Sequence, residues 1–346
     1  MVFLPKSPSG QDPHVGDFFH PGDTRPLNIV NADNRIMANA VRLRTEPILE
    51  EWVSPEQRGF LPGRSMLQNV AEVEHEMMKH ACLSESSCAI FFDFKAAFPS
   101  VSHEFLKEAL SALGLPPWLL RFITLLYRGN RCKLVVGATQ HEGFELQAGI
   151  RQGCPLSPLL FAVAGDLLMR RLKRLFEDNM KRAYADDLFM LSALGVASFP
   201  QLAALFHDFA LISNLTLNIP KTVVVPLFPC DREELGLWIA LDVPEWAGVA
   251  VAGKAKYLGF FLGPERNDSS WTKPLAKFTQ RAKDWGATPA GLFLTSVAYT
   301  VFILSVLTFV LQLEPVPQEW PKVETAAMRS LLSGPGNWCS LFAIHN

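Results

Sequence analysis

The chain has 346 residues, 49% of them hydrophobic, which is enough to bury a substantial core across more than one lobe and excludes a disordered tail or a small module. Its 32 Lys and Arg against 34 Asp and Glu leave a formal charge of −2, so no global basic excess marks a nucleic-acid binder, and the local basic groups (Arg170, Arg171, Lys173 and Arg174; Lys181 and Arg182; Lys273, Lys277, Arg281 and Lys283) need a fold to unite them. The six cysteines (Cys82, Cys88, Cys132, Cys154, Cys230, Cys339) form no CxxC pair and no regular spacing, which excludes a zinc ribbon or disulfide framework and fits a reducing intracellular compartment, nuclear or cytoplasmic.

The first residues, MVFLPKSPSGQDPHVGD, lack a charged segment followed by an apolar one and are not a signal peptide. Residues 1–30 alternate short apolar runs with Pro, Gly and Asp and predict a long hairpin whose second strand is Arg25-Pro26-Leu27-Asn28-Ile29-Val30. Apolar residues spaced by three and four predict helices over 35–51 and 65–81, separated by Gly59 and Pro62-Gly63. Ser87 to Phe94 is an almost continuous apolar run and predicts a buried strand ending in Asp93. Ser102 is a helix N-cap, Gly114 ends that helix, and a second helix runs from Pro116 to Tyr127. A hairpin over 131–136 and 142–147 leads to Gly149-Ile150-Arg151-Gln152-Gly153, after which Ser157 caps a helix reaching about Phe176. Residues 182–191 read as two short strands meeting at Asp186-Asp187. A helix over 199–215, a strand over 217–227 carrying Lys221 and a strand over 257–262 follow, and the chain is mainly helical from Trp271. The uncharged stretch from Leu292 to Leu313 is long enough to span a bilayer, but Thr295, Ser296, Thr300, Ser305, Thr308 and Gln312 fit a buried helix better.

Two features carry chemistry: an aspartate at the end of a buried strand and an Asp-Asp pair at a hairpin tip, both flanked by apolar residues. Neighbouring carboxylates repel and lose hydration, a cost of several kcal/mol unless cations compensate. Hard oxygen ligands without His or Cys select Mg²⁺ or Mn²⁺. Phosphoryl transfer uses two such ions roughly 3.5–4 Å apart. Taken alone, Asp186-Asp187 fits a solvated turn equally well, since Asp tolerates the left-handed backbone of hairpin tips.

Order and surroundings add a resemblance. Phe92-Asp93-Phe94-Lys95-Ala96-Ala97-Phe98, then Arg151-Gln152-Gly153-Cys154-Pro155-Leu156-Ser157-Pro158, then Tyr184-Ala185-Asp186-Asp187 resemble, in order, the palm motifs of non-LTR (LINE-type) retrotransposon reverse transcriptases. Leu4-Pro5-Lys6 and Arg25-Pro26-Leu27 resemble the fingers hairpin of that family, and Gly59-Phe60-Leu61-Pro62-Gly63-Arg64-Ser65 the element after it. Leu217-Asn218-Ile219-Pro220-Lys221-Thr222 resembles the palm lysine motif, and Lys256-Tyr257-Leu258-Gly259 the primer-grip hairpin. One departure is Pro99, where many relatives carry an acid.

The resemblance implies an α+β right hand: fingers over 1–88 and 114–148, a palm with an antiparallel sheet over 89–113 and 149–265, and a helical thumb over 266–346 built around Leu292 to Leu313. It implies an RNA-directed DNA polymerase with two Mg²⁺ or Mn²⁺ ions held by Asp93, Asp186, Asp187 and the Phe94 carbonyl. Its partners would be an RNA template, a DNA primer and deoxynucleoside triphosphates, with no stable membrane association. Phe98 would exclude a ribose 2′-OH, Gln152 and Gly153 would line the nucleotide pocket, and Lys6 and Arg25 would hold the triphosphate. Lys221 would lie near the pyrophosphate, while Tyr257, Leu258 and Gly259 would position the primer. Two rival expectations are a truncated, catalytically inactive nucleic-acid-binding remnant and a membrane protein anchored by Leu292 to Leu313. With only five residues ahead of Lys6, the first strand is expected to fray, loosening Lys6 and Arg25 and impairing polymerisation.

Overall fold

The computed structural model describes residues 1–6, 8–136, 138–288 and 290–332; Cys339 and the end of the expected thumb lie outside them. The chain divides into two units, one of residues 1–69 and 76–252, the other of residues 70–75 and 253 onward.

The first unit opens with β1 (Val2–Pro5), β2 (Gly10–Asp12), β3 (Gly16–Phe18) and β4 (Thr24–Leu27). β1 pairs antiparallel with β4, with Leu4 opposite Arg25, so the expected hairpin forms, although its second strand is shorter than the sequence reading. Next come α1 (Ala32–Trp52), α2 (Met66–Leu83), β5 (Cys88–Phe92), α3 (Ala97–Ser100), α4 (His103–Ala112) and α5 (Pro117–Tyr127). β6 (Arg131–Val136) and β7 (Thr139–Glu145) then extend the first sheet to the order β4-β1-β6-β7. β1 therefore lies inside a sheet. Val2 pairs with Val135, the Met1 carbonyl accepts from the Val135 amide at 2.9 Å, and the Lys6 amide donates to the Asp23 carbonyl at 2.9 Å. The expected fraying is corrected: a strand hydrogen-bonded on both sides is tied down at its very start.

The second sheet is built from β5, β8 (Lys181–Tyr184), β9 (Asp187–Ser192), β10 (Val223–Pro226) and β11 (Ala250–Val251), in the order β11-β10-β5-β9-β8. Every residue of β5 is buried. The pleat sends Cys88, Ile90 and Phe92 into the main core with Leu188, Met190 and Val224, while Phe91 on the opposite face meets Phe189 with ring centroids 5.1 Å apart. α6 (Ser157–Leu175), α7 (Phe199–Ser213) and α8 (Arg232–Asp242) complete this unit. Phe206 of α7 lies 4.6 Å from Phe92, ring to ring, and Trp246 closes the cluster at 6.0 Å.

Local capping follows the sequence in part. Ser102 caps α4, its hydroxyl accepting from the Phe105 amide at 3.2 Å. Ser157 is not a cap: it is the buried first residue of α6, with its Oγ 3.5 Å from the Tyr127 hydroxyl. The sequence reading missed α8, although Asp231 announces it by accepting from the amides of Glu233 and Glu234 at 2.9 and 3.2 Å. Lys221 sits on a short 3-10 turn (Ile219–Lys221), and the expected strand begins only at Val223 because Pro220 and the Asn218 turn interrupt extended pairing.

The second unit holds a hairpin of β12 (Ala255–Tyr257) and β13 (Phe260–Leu262), then α9 (Ser269–Gly286), α10 (Gly291–Ala298) and α11 (Trp320–Leu331). Leu258 and Gly259 form the hairpin turn with φ of 49° and 96°, two successive left-handed residues as a type I′ turn needs. Phe278 of α9 meets Trp320 of α11 at 5.1 Å, and Arg266 pairs with Glu74 from residues 70–75. The expected helix from Leu292 to Leu313 is broken. α10 ends at Ala298, a π turn covers Tyr299–Ile303, and a 3-10 turn covers Leu304–Val306. Hydroxyls of Thr295, Thr300 and Ser305 each bond the carbonyl four residues back, which bends helices. Among the described residues one helix, Gly195–Ser213, is long and apolar enough to cross a membrane by length and composition; Phe199, Leu202, Leu205, Phe206 and Phe209 on it are buried.

Candidate active site

Asp93 follows the last residue of β5, and Phe92 pairs with Leu188 of β9. Extending that register by one residue brings Asp93 level with Asp187, which pairs across the next hairpin with Tyr184. Ala185 and Asp186 form the two-residue tip between them. Only the first of these is left-handed, with φ of 58° at Ala185, the pattern of a type II′ turn. The residue that tolerates the left-handed backbone is therefore not an aspartate, as the solvated-turn reading supposed. A non-glycine residue there costs of order 1–3 kcal/mol, which neighbouring structure must offset.

Asp93 is held from a distant loop. The Asn218 Nδ2 donates to Asp93 Oδ2 at 2.8 Å, the Asn218 amide donates to the Asp93 carbonyl at 2.7 Å, and the Asp93 amide donates to Thr222 Oγ1 at 3.3 Å. Phe94 forms a bridge with Leu217, closed by bonds to the Asp93 carbonyl and from the Lys95 amide, so this pairing does not use the Phe94 carbonyl. Asn218 and Thr222 flank Lys221 closely, which brings the backbone of Lys221 to the Asp93 side; its side chain is exposed.

Desolvation pushes the Asp186 carboxyl above the usual carboxylate range, and the Asp93 charge adds to the rise. A hydrogen bond from the Asp186 backbone and the Arg25 guanidinium oppose it. Asp186 as a whole residue remains exposed at the tip. The same electrostatics bring Arg25 of β4 within reach of the tip. Lys6 is exposed, with its Nζ 3.5 Å from the Gly22 carbonyl, and no contact ties it to the carboxylates.

Phe98 projects from α3 and stacks on Phe161 at 4.3 Å with planes 10° apart; Phe60 meets it in a T-shaped contact at 5.8 Å. The Ile150 amide donates to the Phe98 carbonyl at 2.7 Å, and the Asn28 amide donates to the Gln152 carbonyl at 2.9 Å. Gly153, at φ 117°, passes so near Asn28 that a Cβ would lie 2.3 Å from its carbonyl oxygen. The fold thus joins Phe98, Gln152, Gly153 and the end of β4 into one wall. Tyr257, Leu258 and Gly259 belong to the second unit, Tyr257 closing β12 and Leu258 and Gly259 forming the hairpin turn.

Several basic residues singled out from sequence are committed to structure. Lys181 is buried with its Nζ donating to the carbonyls of Phe176 and Asn179, and desolvation lowers its pKa to about 8. Arg170 pairs with buried Asp166 at 2.7 Å and lies 4.1 Å over the Trp52 ring; Lys173 pairs with Glu56 and Arg171 with Asp208. On α9, Lys273 and Lys277 are exposed one turn apart.

Residues 5–262 match the family described as reverse transcriptase (RNA-dependent DNA polymerase). The chain belongs to the reverse transcriptase family. It is 30% identical over 264 residues to the Transposon TX1 uncharacterized 149 kDa protein of Xenopus laevis, covering 73% of this chain and 20% of that protein. It is 29% identical over 231 residues to the retrovirus-related Pol polyprotein from type-2 retrotransposable element R2DM of Drosophila melanogaster, covering 65% and 21%. The chain thus spans about a fifth of the length of these relatives. Among solved structures, apo telomerase from Candida tropicalis is similar with a TM-score of 0.47 and 11% identity, over 86% of this chain and 54% of that one. The mixture of helices and sheets agrees with the expected α+β class, and the three motifs that carry the non-LTR retrotransposon resemblance lie on β5, at the start of α6 and on the β8–β9 hairpin.

Among the described residues no three His, Cys, Asp or Glu side chains converge into a metal cluster. The donor chemistry nonetheless fits a hard divalent ion. Mg²⁺ needs only one or two carboxylates when substrate phosphates and water fill the remaining positions. Desolvation raises the Asp186 carboxyl and the Asp93 charge adds to it, and a bound cation would offset both.

Proposed function

We propose that this chain is an RNA-directed DNA polymerase domain of a non-LTR retrotransposon, extending a primer 3′-OH with deoxynucleoside triphosphates on an RNA template. The observation that carries the reading is the register of the central strands, which sets Asp93 level with Asp187 beside the Ala185-Asp186 tip. Asp93, Asp186, Asp187 and the Phe94 carbonyl would hold two Mg²⁺ or Mn²⁺ ions. When bound, these ions supply activation of the attacking oxygen and charge stabilisation at the leaving phosphates.

The chain's own residues bind and orient. Arg25, which acts electrostatically on Asp186, neutralises triphosphate charge entering beside the carboxylates, with Lys6 and Lys221 as further phosphate contacts. Gln152 and Gly153 support the nucleotide, and the Phe98 ring, held flat by Phe161, blocks a 2′-OH by contact. The hairpin of Tyr257, Leu258 and Gly259 offers backbone shape rather than base readout to the primer, which suits a sequence-tolerant enzyme. In this reading the first unit carries the fingers and most of the palm, and the second holds the primer hairpin of the palm together with the thumb. Five described cysteines are free, two of them exposed, which supports a reducing intracellular compartment.

The test is primer extension on poly(rA)/oligo(dT) with Mg²⁺ or Mn²⁺. Extension by the wild type and its loss in Asp93→Ala, Asp186→Ala and Asp187→Ala, with template binding retained, is the expected outcome. Template binding without extension in either metal would instead identify an inactive remnant.

A further inference from the structure

Gln57 lies outside every motif residue assigned a role above, yet it is 1% exposed and turns both ends of its carboxamide to the hairpin tip. Its Oε1 accepts from the Ala185 amide at 3.0 Å and from the Gly59 amide at 2.8 Å, and its Nε2 donates to the Ala185 carbonyl at 3.2 Å. Only this orientation of the amide pairs all three groups, because the two N–H donors need the oxygen and the carbonyl needs the nitrogen. One side chain thus closes both backbone groups of the single left-handed residue between the paired strands.

The segment presenting Gln57 is itself fixed. The Arg58 amide donates to the Ala183 carbonyl at 2.8 Å and the Ala183 amide to the Glu56 carbonyl at 2.9 Å, so residues 56–58 lie along the free edge of β8. The Arg64 guanidinium gathers the carbonyls of Glu50, Val53, Ser54 and Gln57 at 2.6–2.9 Å, capping α1 and pinning the loop that follows. Gly59 passes so close that a Cβ would lie 2.1 Å from the Ala185 nitrogen, which leaves the tip no room to relax toward the loop.

We propose that Gln57 is the positioning residue of the metal site: its carboxamide holds Ala185 left-handed and thereby aims the Asp186 carboxylate. This rests on the polymerase reading for its consequence in catalysis but not for its geometry. Glycine adopts φ above zero without the steric penalty that alanine carries. A tip that has lost Gln57 should therefore recover when residue 185 becomes glycine, which a general packing role would not predict.

The experiment combines Gln57→Ala, Gln57→Glu, Ala185→Gly and the double variants in the full chain. Two readouts are used: the Tb³⁺ luminescence midpoint, with Asp186→Ala as the blank, and primer extension as a function of Mg²⁺. Gln57→Glu keeps the shape but sets a carboxylate oxygen against the Ala185 carbonyl, so it carries the test where Gln57→Ala fails to fold. Each single change at Gln57 is expected to raise the Tb³⁺ midpoint and the half-activating Mg²⁺ about tenfold, the scale of one strained residue, with template binding unchanged. Ala185→Gly in the Gln57→Ala background should recover most of that loss. An unchanged Tb³⁺ midpoint in folded Gln57→Glu, or a loss that Ala185→Gly does not recover, would overturn the proposal. Shifted Tb³⁺ midpoints in chains that never extend a primer would uphold Gln57 and overturn the polymerase reading instead.

Discussion

Asn218 and Asp93 are joined twice, by the Asn218 carboxamide on the Asp93 carboxylate at 2.8 Å and by the Asn218 amide on the Asp93 carbonyl at 2.7 Å. A neutral donor on a charged carboxylate contributes about 1.5–3 kcal/mol and fixes its rotamer. Asn218→Ala should therefore raise the Mg²⁺ needed for half-maximal extension by about tenfold or more, and Asn218→Asp should do worse by setting a second charge against Asp93. Magnesium titrations with unchanged midpoints in Asn218→Ala would remove Asn218 from the site.

The raised Asp186 carboxyl makes a stability prediction with a definite sign. A carboxyl whose folded pKa lies above its unfolded value keeps its proton longer in the folded chain. Stability falls as pH rises through the interval between the two values, and the cost persists at neutral pH. Asp186→Asn should thus raise the melting temperature at pH 7 without metal while abolishing extension, and Mg²⁺ should stabilise the wild type more than the variant. A lower melting temperature in metal-free Asp186→Asn would contradict the electrostatic account.

Phe98 stacks on the face of Phe161 and makes a T-shaped contact with Phe60. Phe98→Val should raise ribonucleotide use relative to deoxynucleotide use, measured as the ratio of kcat/KM values, and should destabilise the fold by about 1–3 kcal/mol through lost ring packing. Destabilisation with unchanged sugar discrimination would make Phe98 a core residue only.

Lys181 behaves in the opposite sense to Asp186. Burial lowers its pKa from 10.5 to about 8, so the unfolded chain binds the extra proton between those values and stability should rise with pH across that window. Urea unfolding at pH 7.5 to 10.5 should reveal this slope in the wild type and its loss in Lys181→Met. An identical slope in both would trace it to other groups.

Lys273 and Lys277 lie exposed one turn apart on α9 of the second unit, and among the described residues no ion pair engages them. If each neutralises one phosphate, removing both by substitution to Ala should weaken template-primer binding equally across base sequences and lower the slope of log affinity against log salt by about 2. A salt slope unchanged in the double variant would exclude that face from the nucleic-acid path.

Elements whose cause is local were legible before any fold. The apolar run that makes β5, the acid at its end, the Ser102 cap, the β8–β9 hairpin with its paired aspartates and the motif spacing all arise within a few residues. Tertiary structure alone decided which distant groups act on those residues. Gln57 reaches Ala185 across 128 positions and Asn218 reaches Asp93 across 125, and neither amide differs in sequence from one on a solvated surface. The same holds for Lys181, which reads as part of a basic cluster until the fold buries it, and for β1, which gains β6 from far along the chain as a second neighbour beside its hairpin partner β4. Backbone preference and hydrophobic period are written into neighbouring residues, whereas the partner of a polar side chain is chosen only when chain closure brings a second segment within about 3 Å of it.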